Sequence, residues 1–452
     1  MDNNFKIEIK DFRAIKEASI IIDGITVIAG ENGSGKSTIS KLLYHTIKSS
    51  MNYDKIVVEK SNRDLYKIFE LLDILIRELF ILDTDKYTFL RRQLKNVRSK
   101  NFHQIELFDE DNSLTNLINL LIEQIYDFQN KKASHNELYQ NRINRIKRML
   151  IDEIFYIKNS NKADLKEIDK LSFNDLLKQL LNKINNILEQ LREYKEKRPI
   201  SFYYNILNEV FYDNPISKTF NIFEYGVPIL DNKDEKLNEI HTIHNIAYID
   251  TPMIIGIPTF AERTHWDDLN ELLEKKQRTK KSDILDILKK DIIKGEISNE
   301  YDEFNDKNFV YKREDGAEFD LLECATGLKS FAIIQILHKN GLLDNKSLLI
   351  IDEPEAHLHP QWVVEYARLI VLLNKKLGVK FLIASHHPDM ISAIKYISLK
   401  EKTDKSLNFY LAEKNKNNPF LYNYKHKKID LEDIFASFNI AFERIDLYGK
   451  TE

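Results

Sequence analysis

An α/β fold with a mixed sheet, interrupted by a mostly helical insertion, is predicted by three features of the 452-residue sequence. One is Gly30-Glu31-Asn32-Gly33-Ser34-Gly35-Lys36-Ser37-Thr38, set between the apolar run Ile25–Ala29 and the helix-like Ile39–Tyr44. Another is a pair of apolar runs late in the chain, Ser347–Ile351 and Val379–Ala384, each ending in polar residues. The third is punctuation: no glycine occurs between Gly35 and Gly226, and no proline before Pro199. Those residues mark loops, so their absence predicts a long helical segment.

Taken in order, Phe5–Lys10 and Ala18–Ile22 alternate as two antiparallel strands that feed a third, Ile25–Ala29. The glycine stretch that follows is a P-loop pattern in the context that gives it meaning: strand, glycine turn, helix. Glycines permit backbone angles that a side chain forbids. The loop N–H groups can then point at phosphate oxygens, with the helix N-terminus adding positive potential. Lys36 is expected to reach the β- and γ-phosphates, and the Ser37 hydroxyl to hold Mg²⁺. A glycine turn that binds nothing would not need both flanking elements.

Apolar residues then step by threes and fours: Leu114–Phe128, Ile143–Ile157, and Phe173, Leu177, Leu180, Ile184, Ile187 and Leu191. The last series is too short for a coiled coil, so packed helices are expected. Two basic clusters, Arg91-Arg92-Lys95-Arg98-Lys100 and Arg142-Arg145-Lys147-Arg148, offer a nucleic-acid or partner face. Acidic neighbours favour an ordinary solvated surface for both.

Strand signatures return at Phe220–Gly226 and at Ile246–Ile249, which runs into Asp250-Thr251-Pro252. A polar helix is expected near 267–293. A hairpin is expected around Asp315-Gly316, between Phe309–Lys312 and Ala317–Asp320. Ser347–Ile351 reads as a strand buried on both faces and ends in Asp352-Glu353. Beside a P-loop, Asp352 is expected to hold Mg²⁺ through its waters, and Glu353 to polarise the attacking water. The strand Val379–Ala384 ends in Ser385-His386-His387-Pro388, where His386 can sense the γ-phosphate. A metal cluster of His357, His359, His386 and His387 is the competing reading, although no HExxH-like helical pair is present. Trp362–Ile370 reads as a helix, and a last helix is expected over Leu431–Arg444.

Composition sets outer bounds. A net charge of −4 gives no bulk attraction to nucleic acid or membrane. Cys324 is the one cysteine, which excludes an internal disulfide and suits a reducing, cytoplasmic setting. Asp2 and Asn3-Asn4 before a strand-like run do not resemble a signal peptide. No apolar run approaches the roughly 20 residues of a membrane helix.

Together, Gly30–Thr38, Asp352–Pro360 and Ser385-His386 resemble an ABC-type ATPase head of the SMC/Rad50/RecF and OLD kind. Asp11-Phe12-Arg13-Ala14-Ile15 resembles the opening of such heads. The resemblance implies a head made of residues 1–48 and 219–452, split by a helical insertion at 49–218. It implies ATP and Mg²⁺ as ligands, with Arg13 among the nucleotide contacts and Asp250 beside the metal. The signature loop would be Cys324-Ala325-Thr326-Gly327-Leu328-Lys329-Ser330, reaching the γ-phosphate of a second copy in a head-to-head dimer. Ala325 stands where the family usually has serine, with Thr326 one position later, and this exchange implies slow turnover. The stretch Ile350–His359, with Trp362 and Ser385–Pro388, further resembles ATPase subunits of Septu-type, retron-associated and PARIS-type anti-phage systems. Those imply a separate effector, a nuclease, since no nuclease constellation stands out in this chain. Two alternatives stay open: an SMC-like DNA-repair ATPase, and a scaffold that holds ATP with little turnover. A transporter ATPase would need a membrane partner, and the large insertion speaks against it.

Overall fold

A computed structural model of the chain describes residues 5–80, 83–101, 116, 119, 120, 123, 144–152, 171–211, 220–231, 235–255, 264–276, 278, 282–301, 307–427, 431, 432, 434, 435, 447 and 448. These form two compact units, one of residues 1–51 with 199–452, the other of 52–198. The Leu114–Phe128 series and the expected last helix lie largely outside the described residues, whereas residues 144–152 of the Ile143–Ile157 series are described and helical, with Ile146 and Leu150 buried.

The first unit is built on a 10-stranded sheet. Its N-terminal strands are β1 (Phe5–Phe12), β2 (Ile15–Ile22) and β3 (Ile25–Ala29), followed by helix α1 (Lys36–Met51). After the second unit the chain returns with β4 (Phe220–Glu224), β5 (Val227–Leu230) and β6 (Asn245–Ile249). A small antiparallel sheet follows, β7 (Gly295–Tyr301), β8 (Lys307–Arg313) and β9 (Glu318–Asp320). The main sheet is completed by β10 (Ser347–Asp352), β11 (Lys380–Ser385), β12 (Leu407–Lys414) and β13 (Tyr422–His426). Its strand order is β5-β4-β1-β2-β13-β12-β3-β11-β10-β6. The run β12-β3-β11-β10-β6 is parallel, whereas β1 pairs antiparallel with β2 and β4. The sheet is thus mixed, and the fold is α/β.

Why the central strands read as unbroken apolar runs is plain from their burial. Every residue of β3 and of β10 is buried, because helices cover both faces. The helix α7 (Thr326–Lys339) is buried along almost its whole length and joins the same core, with α8 (Pro360–Leu377) and α9 (Pro388–Glu401) beside it. The expected hairpin is present: Asp315 accepts from the Arg313 guanidinium and the Ala317 N–H, and Gly316 supplies φ +87°.

One helical expectation needs correcting. The stretch 267–293 is broken into a helix α6 (His265–Leu273), a short helix Asp283–Ile287 and a π-helical turn Leu288–Ile292. Ser282 causes the restart: its hydroxyl accepts the Leu285 N–H at 3.1 Å and lies 2.7 Å from His338 Nε2.

The second unit contains α2 (Tyr53–Phe80), α3 (Thr84–Asn101) and α4 (Phe173–Lys197), while α5 (Ile200–Phe211) belongs to the first unit. Phe173, Leu177, Leu180, Ile184 and Leu191 of α4 are buried, as their spacing demands. A capping box starts α4: Ser172 Oγ accepts the Asp175 N–H at 3.1 Å, and Asp175 accepts the Ser172 N–H at 3.2 Å. On α3, Arg91, Arg92 and Lys95 are exposed.

Candidate active site

Register decides what meets. Ala29 pairs with Ser385, Asp352 with Ala384, and Ile351 with Ile249. The loops after β3, β11, β10 and β6 therefore leave one sheet edge side by side. Ligands of open parallel sheets bind at this carboxyl edge.

The loop after β3 is shaped by its glycines. Gly33 has φ +81° and a Cβ there would meet nothing, so its role is conformational. Gly35 has φ +96° and a Cβ would lie 2.8 Å from Ile15 Cγ1, so both angle and space require glycine. Of the N–H groups in residues 31–38, Ser34 alone donates to a backbone carbonyl among the described residues, to Glu31 at 3.3 Å. The Ser34 Oγ is buried with no protein partner. Tyr424 on β13 props the loop from behind, donating to the Ser34 carbonyl at 3.1 Å. Glu31 pairs with Lys414 at 2.8 Å; Asn32 is exposed and Thr38 half-buried.

Lys36 opens α1 and turns back over the loop, donating to the carbonyls of Gly30 at 2.8 Å and Glu31 at 3.0 Å. Burial lowers its pKa, while Glu353, Asp352 and Glu355 pull the other way. The ammonium is thus held by two carbonyls at the mouth of the loop.

Asp352 is 7% exposed and ringed by hydroxyls. Its Oδ1 accepts from Ser40 at 2.6 Å and its Oδ2 from Tyr248 at 2.9 Å, and the nearby Ser37 hydroxyl also favours the charged form. Burial raises the carboxyl above its usual range despite those bonds. The Ser37 hydroxyl on the first turn of α1 and the Asp352 carboxylate at the end of β10, beside the glycine loop, are a donor set that fits Mg²⁺. Glu353 sits at φ +49°, an uncommon angle for a side-chain-bearing residue, and its N–H is held by the Ala384 carbonyl at 2.7 Å. Its carboxylate lies 3.3 Å from His386 Nδ1.

Asp250, after β6, is gripped by α6: its Oδ2 lies 2.9 Å from His265 Nε2, and Trp266 Nε1 donates to its Oδ1 at 2.7 Å. Burial acts to raise the Asp250 carboxyl, but those two partners together hold it below its usual range. The His265 ring also packs tilted against Tyr248, centroids 4.7 Å apart, so the Asp250 and Asp352 networks touch.

The signature-like loop is organised around packing. A Cβ on Gly327 would lie 3.0 Å from Trp362 Cε3. Lys329 is buried and donates to the Leu322 carbonyl at 2.7 Å. Ala325 is the N-cap of α7 and gives no side-chain cap, with Thr326 opening the helix. Arg13 donates to the Phe211 carbonyl at 3.0 Å and lies over the Phe211 ring. Of the other histidines, His359 caps α8, accepting the Gln361 N–H, and His387 caps α9, accepting the Asp389 N–H. Sequence reasoning passed over Ser40, Tyr248, Glu355, His265 and Trp266. Two had a signal: Tyr248 shares a strand face with Asp250, and Ser40 a helix face with Lys36.

The glycine loop, its turned-back lysine and the hydroxyl-ringed aspartate together define a P-loop ATPase domain. The chain belongs to the family described as AAA ATPase domain (AAA_15), whose profile matches residues 5–391. Among solved structures it is similar to an Smc head bound to the C-winged helix domain of ScpA: 10% identity, 95% of this chain and 98% of that one, TM-score 0.37. A second is an Smc head with extended coiled coil bound to the C-terminal domain of ScpA, derived from Pyrococcus furiosus: 11% identity, 98% and 99% covered, TM-score 0.33. A third is the SMC head domain from Thermotoga maritima: 11% identity, 46% and 64% covered, TM-score 0.27. No curated protein matches the chain. Among the described residues, no helix is long and apolar enough to cross a membrane.

Proposed function

We propose that this chain binds ATP with Mg²⁺ at the sheet edge and hydrolyses it slowly, and that two heads close face to face around two nucleotides. The observation that carries this is the convergence of Gly30–Thr38, Asp352-Glu353 and His386 on one edge, set by strand register. The loop N–H groups and the Lys36 ammonium take the β- and γ-phosphates, Lys36 leaving its two carbonyls to do so. Ser37 and Asp352 hold the metal, with Asp250 contacting its waters. The metal neutralises developing phosphate charge. Glu353 orients the attacking water and accepts its proton, and His386 contacts the γ-phosphate. Arg13, on the β1–β2 turn, is assigned a nucleotide contact that it makes on leaving the Phe211 carbonyl.

Ala325 and Thr326 open the face presented to the second copy, with Gly327 packed behind them against Trp362 and Lys329 turned inward to hold the loop. The uncapped start of α7 offers N–H groups there. A missing serine hydroxyl removes one donor to the transition state, which is worth roughly 10²–10³ in rate where such donors have been deleted. The nucleotide state then governs a separate effector, a nuclease, in anti-phage defence within the cytoplasm. Nucleic acid is a further candidate partner, through the exposed arginines of α3.

Lys36→Ala is expected to abolish ATP binding. Glu353→Gln is expected to keep binding, lose turnover and accumulate the ATP-bound dimer, read by light scattering after gel filtration. ATP consumption unchanged by Glu353→Gln would overturn the assigned base. A monomer at saturating ATP would overturn the dimer, and co-purification with the products of neighbouring genes tests the effector.

A further inference from the structure

Glu355 stands out among the carboxylates near the nucleotide loop. Only 4% of its side chain is exposed. Its Oε1 accepts from Ser385 Oγ at 2.8 Å and from the His386 N–H at 3.1 Å. The Ser385 hydroxyl in turn accepts the His387 N–H at 3.1 Å, so one carboxylate anchors the whole turn from β11 into α9. Two buried polar atoms beside it lack a partner: Glu355 Oε2 and His386 Nδ1. That nitrogen lies 3.6 Å from Glu355 Oε1 and 3.3 Å from Glu353 Oε1. Buried polar atoms are rarely left unpaired, so adjacent orphans mark a place where a small rotation makes a bond.

We propose that Glu355 is the positioning residue for His386. It fixes the backbone turn through Oε1, and its carboxylate brackets Nδ1 together with Glu353. With carboxylates on both sides, the Nδ1 proton faces Glu353 and Glu355, and the opposite ring nitrogen, Nε2, is left for the nucleotide. Glu355 thereby couples the residue that handles water to the residue that reads the γ-phosphate. Its charge also acts on Lys36, alongside Glu353 and Asp352. The inference rests on the ATPase reading above and extends it to a residue that need not touch ATP.

Glu355→Gln separates this role from a merely structural one. The amide oxygen still accepts from Ser385 and the His386 N–H, so the turn is retained, while the charge facing Nδ1 is lost. The expected result is kcat lowered at least about tenfold, with KM for ATP and thermal midpoint near wild type. Glu355→Asp keeps the charge and is expected to recover part of the rate. In a His386→Ala background, Glu355→Gln is expected to cost little more, since the residue acts through that ring. Wild-type kcat in Glu355→Gln, or an equal loss with and without His386, overturns the proposal. If the wild type hydrolyses ATP and Lys36→Ala does not, such a result removes only the role of Glu355. If the wild type neither binds nor consumes ATP, the ATPase reading falls and takes this with it.

Discussion

Replacing Tyr248 by Phe removes one oxygen from beneath the site and little else. The ring is 1% exposed, so phenylalanine fills the same space. What disappears is the hydroxyl donated to Asp352 Oδ2 at 2.9 Å. Asp352 is itself buried, so water cannot take over that contact freely. A hydrogen bond to a charged group contributes about 1.5–3 kcal/mol. The folding equilibrium should therefore weaken roughly 10- to 150-fold, at about 1.4 kcal/mol per tenfold. The loss also carries a pH signature. Burial already raises the Asp352 carboxyl above 3.8, with Ser40, Ser37 and Tyr248 opposing it. Without Tyr248 the carboxyl rises further. The folded chain then binds that proton more tightly than the unfolded chain, so stability falls as pH climbs through the raised folded value. The deficit is complete once pH lies above that raised value and shrinks on acidification toward the unfolded value. Tyr248 stays protonated throughout, since burial, then Asp352 and Asp250, raise its own pKa far above the usual tyrosine range. Urea unfolding of both proteins without nucleotide, from about pH 8 down to about pH 4.5, reads the effect directly. A deficit under about 0.5 kcal/mol, the ordinary scatter of surface changes, would refute the reasoning. So would a larger deficit that ignores pH.

Gly35→Ala should disrupt the nucleotide loop, because its Cβ would lie 2.8 Å from Ile15 Cγ1 at a backbone angle of φ +96°. The angle alone costs about 1–3 kcal/mol; calorimetric titration should show ATP binding lost while the remainder of the head stays folded. Ser172→Ala should remove the capping box of α4 at about 1 kcal/mol. Hydrogen exchange should quicken in the first turn of α4 with ATP affinity unchanged. Lys414→Ala should matter little, since its pair with Glu31 is half exposed on both sides. Such pairs contribute about 0–1 kcal/mol, so an unfolding midpoint that moves by more would show a further role for Glu31.

Much of the architecture was legible in local pattern. Strand β10 announces itself because a strand covered on both faces has no polar positions to spare. The β8–β9 hairpin is announced by Asp315-Gly316, since few residues other than glycine accept the φ of +87° found at Gly316. Where local pattern misled, a single contact decided. The stretch 267–293 is amphipathic enough for one helix, yet Ser282 caps a new one and lies against His338, a residue from distant sequence. Likewise, nothing local says that Arg13 turns to the Phe211 carbonyl or that Lys329 turns inward to Leu322.

The sequence by itself determined the α/β class, the glycine loop and the acidic end of a buried strand, because backbone angle and two-faced burial constrain residues one position at a time. Tertiary structure alone decided that Tyr248 and Ser40 share Asp352, that α6 grips Asp250, and that Glu355 lies beside His386. Those contacts depend on the parallel register that sets Ala29 opposite Ser385 and Asp352 opposite Ala384. Register is a relation between two separate strands, and the pattern within either strand does not contain it.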